Sequence, residues 1–146
     1  MADETIKSLV ILFLCIVGIG FTVSVLKAED EAQIAAYYFH TKFRCPSCHK
    51  IEQFTEESLK NNFSKQLEEG SLVYRVVNVE EKGNKHFIND YQLYTKSVVL
   101  SFRKNGEELE YKNLDKVWMY LGDKQKFSDY IKEETQIFLD KLKEKD

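Results

Sequence analysis

An uncharged apolar stretch near the N terminus limits the folds open to this chain more than any other feature. Residues 8–26 read SLVILFLCIVGIGFTVSVL, 19 residues without a charged side chain. At about 1.5 Å of rise per helical residue, such a stretch is long enough to cross a hydrocarbon core of roughly 30 Å. The sequence therefore predicts a short tail (residues 1–7), a transmembrane anchor (residues 8–26), a linker (residues 27–32) and a folded domain (residues 33–146).

The same stretch is compatible with a cleaved secretory signal, because Lys7 precedes it and small residues follow it. Its length and the lack of a clean A-x-A site favour an uncleaved anchor over a signal, and either over a buried helix. One lysine on each side, Lys7 and Lys27, leaves the orientation undecided by charge. Anchor and signal both predict an exported domain on the extracytoplasmic, periplasmic side, with Cys15 as an apolar residue of the stretch.

Charge and composition narrow the function classes. The chain has 21 Lys and Arg against 24 Asp and Glu, a net charge of -3, so it lacks the cationic excess that binds a phosphate backbone, and we expect no nucleic-acid partner. With 43% hydrophobic and 13% aromatic residues, it can build a compact core. Three cysteines are too few for a disulfide framework.

Hydrophobic periodicity predicts seven elements after the linker, in the order β-α-β-α-β-β-α. Asn105 and Gly106 form the strongest short-range hairpin signal, because both turn residues need positive φ. Gly70 is expected to end a first helix of about five turns. The predicted strands are residues 33–40, 71–79, 97–105 and 107–112, the first two of them buried, and the predicted helices start at residue 45 and cover residues 84–93 and about 124–143.

Two cysteines open the first predicted helix, in the motif Cys45, Pro46, Ser47, Cys48. A thiol at a helix N terminus lies among unpaired N–H donors, which lowers its pKa, so Cys45 is the predicted attacking thiol. Cys48 follows about one turn later, close enough to resolve a mixed disulfide on Cys45. Pro46 suits the first helical turn, and Ser47 is the uncharged variable residue.

Three neighbouring residues, Arg44, His49 and Lys50, are positive or protonatable. They could stabilise a Cys45 thiolate further, or they could be ordinary solvated cations of a surface.

A Cys-x-x-Cys that opens the first helix of this element order resembles the active site of thioredoxin-fold proteins. The segment TKFRCPSCHKIEQF is similar to the active-site turn of that family, and DYQLYTKSVVLSFRKNGEE to its helix end, third strand and hairpin. More narrowly, the chain is similar to small membrane-anchored CxxC proteins known as the nitroreductase-subunit family of arsenic operons. The resemblance implies an α/β thioredoxin-like domain with a central four-stranded mixed sheet.

The resemblance also implies an activity and partners. It implies a thiol–disulfide oxidoreductase with protein thiols and disulfides as substrates. We expect a reductase or electron relay, although the sequence itself leaves the direction of electron flow open. Similar tethered proteins obtain electrons from a membrane thiol-electron transporter, which we expect as a partner. We recognise no flavin site and predict no cofactor and no bound metal.

Two positions depart from the family pattern. The family's buried Asp, six residues before the first cysteine, corresponds here to Phe39, so no buried carboxylate base is expected there. The family's cis-proline corresponds to Ser97, and the chain's one proline is Pro46, so we expect no cis peptide there. Ser97 is then expected to lie against the cysteines, with an altered substrate groove and easier access for a metal.

The cysteines also permit a carrier function. Cys45, Cys48 and His49 match the C-x-x-C-H motif of c-type haem attachment, with His49 as the axial ligand. A zinc site lacks a second CxxC, although a dimer could supply four sulfurs. Because haem-c domains are mostly helical and strands flank this motif, disulfide redox chemistry remains the favoured interpretation. His40 and His86 are expected to be surface histidines.

Overall fold

The computed structural model describes residues 32–144. They form a four-stranded sheet with helices on both faces. The elements are β1 (Gln33–His40), α1 (Pro46–Glu69), β2 (Leu72–Asn78), α2 (His86–Asp90), β3 (Ser97–Lys104), β4 (Glu107–Asn113), a 3-10 turn (Asp115–Val117) and α3 (Lys124–Glu144).

The sheet is mixed and has the strand order β2-β1-β3-β4. β1 and β2 are parallel because the α1 crossover joins them, whereas β3 runs antiparallel to both β1 and β4. Asn105 and Gly106 have φ of 54° and 79°, so the predicted hairpin turn is confirmed. This order and these directions define a thioredoxin-like α/β fold, as the sequence predicts.

Side chains of β1 alternate between two cores, as strand geometry requires. Tyr38 points into the core that α1 and α3 cover, together with Ile34 and Ala36. Phe39 points into a smaller core on the other face, where it packs against Phe87 and Tyr91. Because β1 is buried on both faces, it consists almost entirely of apolar and aromatic residues.

Three predicted elements differ from the structure. The helix expected over residues 84–93 is only five residues long (His86–Asp90), because the chain turns at Gln92, whose φ is 50°. The strand after α1 was expected to be buried, and this is wrong: β2 lies at the sheet edge, with Arg75 and Val76 exposed. α1 is longer than five turns, with 24 residues and a non-helical break at Phe63.

The two ends of β1 have different neighbours. The chain enters the strand at Gln33 and leaves it at His40, and residues 41–44 then lead to Cys45 and α1. The start of β3 lies beside the His40 end of β1, because Ser97 pairs with Phe39. The cysteine pair therefore lies at the opposite end of β1 from the chain entry. No helix between residues 32 and 144 is long and apolar enough to cross a membrane, and the predicted anchor and Cys15 lie outside the described residues.

Candidate active site

Cys45 occupies the N-cap of α1. Its backbone is extended, with φ of -90° and ψ of 169°, and its carbonyl accepts a 3.2 Å hydrogen bond from the His49 N–H. Pro46 follows at the start of the helix, as predicted, where its missing N–H costs no intrahelical bond. The free N–H groups of the first turn therefore surround the Cys45 sulfur.

The two thiols of the pair are in direct contact but differ in exposure. The Sγ atoms of Cys45 and Cys48 lie 2.6 Å apart, and both cysteines are free thiols. Cys45 is partly exposed, whereas Cys48 is 0% exposed. An incoming reagent can therefore reach the Cys45 sulfur from solvent, whereas the Cys48 sulfur is shielded from solvent and in contact with Cys45.

Hydrogen bonds to the Cys45 sulfur hold the pKa of its thiol below the usual value. The largest contribution comes from the Cys48 thiol, followed by the backbone N–H of Cys48. Desolvation opposes them, and the backbone N–H groups of Ser47 and Cys45 lower the pKa by less than desolvation raises it. Each of these donors stabilises the thiolate more than the thiol. A larger fraction of Cys45 than of an ordinary cysteine is therefore ionised at a given pH, and the thiolate is the species that attacks disulfides.

A buried tyrosine lies directly beneath the pair. The Tyr38 hydroxyl donates a 2.8 Å hydrogen bond to the backbone carbonyl of Cys48. Burial raises the pKa of Tyr38 far above its usual range, with a further contribution from Cys48, so the hydroxyl stays a neutral donor. Tyr38 thereby ties β1 to the first turn of α1.

Arg44, the residue before Cys45, turns inward rather than toward solvent. Its guanidinium forms an ion pair with Glu52, and both side chains are about three-quarters buried. The same guanidinium lies 5.9 Å from the centre of the Tyr38 ring. Arg44 is therefore neither a simple surface cation nor one of the groups that lower the pKa of Cys45.

Sequence reasoning did not find the roles of Tyr38 and Glu52. The available signals were the alternation of β1, which directs Tyr38 toward α1, and the helical spacing of four between Cys48 and Glu52, which places both on one helix face. Neither signal says which partner the side chain meets.

Ser97 and Phe39 lie at the end of β1 that leads to the cysteines. The Ser97 hydroxyl is buried and donates a 2.9 Å hydrogen bond to the Thr95 carbonyl, so its bond lies within the loop that precedes β3. The described residues contain no cis peptide bond. Phe39 lies on the sheet face opposite α1, and the polar group beneath the cysteines comes instead from its neighbour Tyr38.

The three histidines of the described region lie in different places and contact different groups. His49 is exposed beside the pair, His40 bonds the Thr41 carbonyl through Nδ1 at 2.9 Å, and His86 lies 3.8 Å from Asp90. No group of three or more His, Cys, Asp or Glu side chains between residues 32 and 144 is arranged to hold a metal ion. The structure therefore adds no third metal ligand to Cys45 and Cys48.

Known proteins resemble this chain in structure rather than in sequence. No family model matches it, and no curated protein matches it. Thioredoxin O2 from Arabidopsis thaliana, in the oxidized state, is similar at 20% identity and a TM-score of 0.38, over 56% of this chain and 63% of that one. Fasciola hepatica thioredoxin is 17% identical, with a TM-score of 0.38 over 63% and 81%. Chlamydomonas reinhardtii thioredoxin f2 is 15% identical, with a TM-score of 0.35 over 65% and 82%.

The class of this protein follows from its own topology and site. A four-stranded sheet in the order β2-β1-β3-β4, with a cysteine pair where β1 leads into α1, defines a thioredoxin-like dithiol domain. The chain spans 63% of the length of the Arabidopsis thioredoxin with which it is compared.

Proposed function

We propose that this protein is a thiol–disulfide oxidoreductase in which Cys45 attacks and Cys48 resolves. One observation carries the proposal: two sulfurs 2.6 Å apart, one partly exposed at a helix N terminus and the other fully buried. This asymmetry matches the two steps of thiol–disulfide exchange, which need an accessible thiolate first and an adjacent thiol second.

The electrons of the reaction balance with the cysteines and the substrate alone, and the protons pass through solvent, which holds the proton that Cys45 lost on ionising. The Cys45 thiolate attacks one sulfur of a substrate disulfide, a mixed disulfide forms, and the other substrate sulfur leaves as a thiolate that takes up a proton. Cys48 loses its proton and attacks the Cys45 sulfur, and the second substrate thiolate leaves and is protonated. The substrate gains two electrons and two protons, and the pair becomes a disulfide.

We propose further that the protein works as a reductase or electron relay tethered to a membrane. The support is residues 8–26, which are apolar enough to span a bilayer, and the placement of a dithiol domain after them. On the extracytoplasmic side, a reductase needs electrons from across the membrane. A membrane thiol-electron transporter is therefore the proposed donor, and protein disulfides are the proposed substrates.

A redox titration tests the dithiol function. Full-length protein carrying Cys15→Ser, so that only the pair reports, is equilibrated in glutathione buffers, trapped with an alkylating agent and weighed by mass spectrometry. We expect a reversible two-electron transition, with a potential near or below about -230 mV for a reductase, whereas about -120 mV would indicate an oxidant. A pair that never cycles, or that is isolated with bound metal or haem, would overturn the proposal.

A labelling experiment tests the location. A membrane-impermeant maleimide is added to intact cells that express the Cys15→Ser, Cys48→Ser variant, in which Cys45 is the remaining thiol. We expect modification of Cys45 without lysis and recovery of the protein in the membrane fraction. Labelling that requires lysis would place the domain on the cytoplasmic side and exclude the proposed location.

A further inference from the structure

The segment that carries the cysteines is strongly basic for a chain of net charge -3. Residues 41–50, TKFRCPSCHK, contain three lysines or arginines and one histidine, and no carboxylate. Arg44 is compensated by Glu52. The charges left near the pair are the ammonium groups of Lys42 and Lys50, both of which are exposed.

A third lysine joins them from another loop. The Lys96 ammonium lies 6.0 Å from the centre of the Phe43 ring, which connects the loop before β3 to the loop that leads into Cys45. We call Lys42, Lys50 and Lys96 the lysine rim. None of the three takes part in an ion pair within residues 32–144.

Carboxylates also lie close to the lysine rim, and one of them, Asp115, lines a cavity together with Lys96. Glu80 accepts a 2.6 Å hydrogen bond from the backbone N–H of Lys42, which leaves the Lys42 ammonium free. The three ammonium groups, none of them ion-paired within residues 32–144, outnumber Glu80 and Asp115 and leave an excess of positive charge near the cysteine motif. Such an excess attracts anions over about a Debye length, some 8–10 Å at moderate salt.

Apolar surface accompanies this charge. Phe43 is 76% exposed and Tyr94 is 94% exposed, on the two loops that also carry Lys42 and Lys96. Next to Tyr94 and Lys96, a cavity of about 190 Å³ has an apolar floor formed by Phe39, Val79, Ile88 and Leu93. An occupant that uses these features together needs carboxylates and apolar side chains on an extended backbone, which is the chemistry of an acidic peptide segment.

We propose that the lysine rim selects protein disulfides that are flanked by acidic residues. This inference rests on the proposed function and names its substrate class. The carboxylates of the substrate meet Lys42, Lys50 and Lys96, while an apolar side chain of the same segment enters the cavity beside Tyr94. The preference acts mainly on the rate of encounter, because surface charge accelerates association more than it strengthens the bound state.

Three matched peptides test the preference. Each carries the same disulfide and the same apolar residues, with aspartate, asparagine or lysine at the flanking positions, and each rate is normalised to the rate of the same peptide with dithiothreitol. Reduced full-length protein with Cys15→Ser is the reagent. At low salt we expect the aspartate peptide to react about tenfold faster than the asparagine peptide, and the ratio to approach one at high salt.

Charge-matched variants assign the effect to the lysine rim. K42Q/K50Q/K96Q is expected to lose the preference, whereas K65Q/K132Q/K143Q, which removes the same charge from exposed positions on α1 and α3, is expected to keep it. A preference that is absent in the parent protein, or equally lost in both variants, would overturn the inference.

A neutral small disulfide separates this inference from the proposed function. Hydroxyethyl disulfide carries no charge, so its rate reports the folding and basal reactivity of each variant, and each peptide rate is divided by it. K65Q/K132Q/K143Q is expected to react with it at the parent rate. If hydroxyethyl disulfide reacts and the three peptides react equally, only the substrate preference fails. If neither it nor any peptide reacts, the oxidoreductase function fails as well.

Discussion

The hydroxyl of Tyr38 on β1 donates a 2.8 Å hydrogen bond to the backbone carbonyl of Cys48 on α1. Both groups are buried, and the bond joins the central strand to the helix turn that carries both reactive sulfurs. The position of Cys48 is therefore fixed from beneath by a side chain of the sheet core as well as by the helix itself.

Replacing Tyr38 with phenylalanine removes this hydrogen bond and keeps the ring. We expect the free energy of unfolding to fall by about 1 kcal/mol, the usual net value of a buried hydrogen bond, because the aromatic packing and the contact with Arg44 remain. Denaturant titration of the reduced full-length protein measures the change. Tyr37→Phe on the opposite face is the matched control, and an equal loss in both variants would contradict a specific role for the Tyr38 hydroxyl.

Replacing Cys48 is expected to raise the pKa of Cys45, because the Cys48 thiol is the largest of the groups that lower it. A lowered pKa keeps Cys45 ionised, and hence reactive, at more acidic pH than an ordinary thiol. The pH at which the alkylation rate of Cys45 is half-maximal should therefore be higher in Cys48→Ala than in the parent. Cys48→Ser should give an intermediate pH, because serine retains a hydroxyl donor. Iodoacetamide kinetics across pH in the Cys15→Ser background give these profiles, and identical profiles would argue against the hydrogen bond.

Arg44 and Glu52 are expected to be energetically coupled. The side chains are only 22% and 26% exposed, so removing one charge leaves the other partly buried without its partner. In a double-mutant cycle of Arg44→Met and Glu52→Gln, we expect a coupling energy of about 1–2 kcal/mol.

The surface pair of Lys60 and Glu56 is the matched control for that cycle. Its side chains are 66% and 42% exposed, so its coupling is expected to be about 0.3–0.5 kcal/mol. Denaturant titration of seven proteins, the shared parent and three variants for each pair, supplies both cycles. Equal coupling in the two pairs would show that burial adds nothing to the Arg44 and Glu52 interaction.

Gly70 ends α1 with φ of 80°, a left-handed conformation that favours glycine. A Cβ at this position has no heavy atom within 4 Å, so the cost of Gly70→Ala is purely conformational, about 1 kcal/mol. Gly122→Ala meets equally open space without a left-handed backbone and is expected to leave the stability unchanged or slightly raised. The two melting curves make the comparison, and equal effects would exclude the backbone explanation.

Much of the fold can be predicted from short stretches of sequence. β1 matches its predicted bounds because an uninterrupted apolar and aromatic run is long enough for one strand. The hairpin after β3 follows from Asn105 and Gly106. The start of α1 follows from the motif, since proline fits the first helical turn. Its end follows from the glycine at position 70.

The surroundings of the cysteines could not be predicted in the same way, because they depend on contacts between elements. The partner of Arg44 lies two turns into the helix, and the partner of Cys48 lies on a strand. The edge position of β2 is likewise a property of the whole sheet: its sequence is apolar enough for a central strand, and the strand order alone decides its exposure.

The chain enters β1 at one end and the cysteines follow the other end, so the length of β1 separates the two. From Gln33 to His40, β1 extends about 23 Å at 3.3 Å per residue. The described chain is therefore entered one strand length away from the end of β1 that leads to the reactive sulfurs. The surface potential of anionic lipids decays within about 8–10 Å at physiological salt, less than half the length of β1, so a charged surface at the chain-entry end contributes little to the field at the end that leads to Cys45.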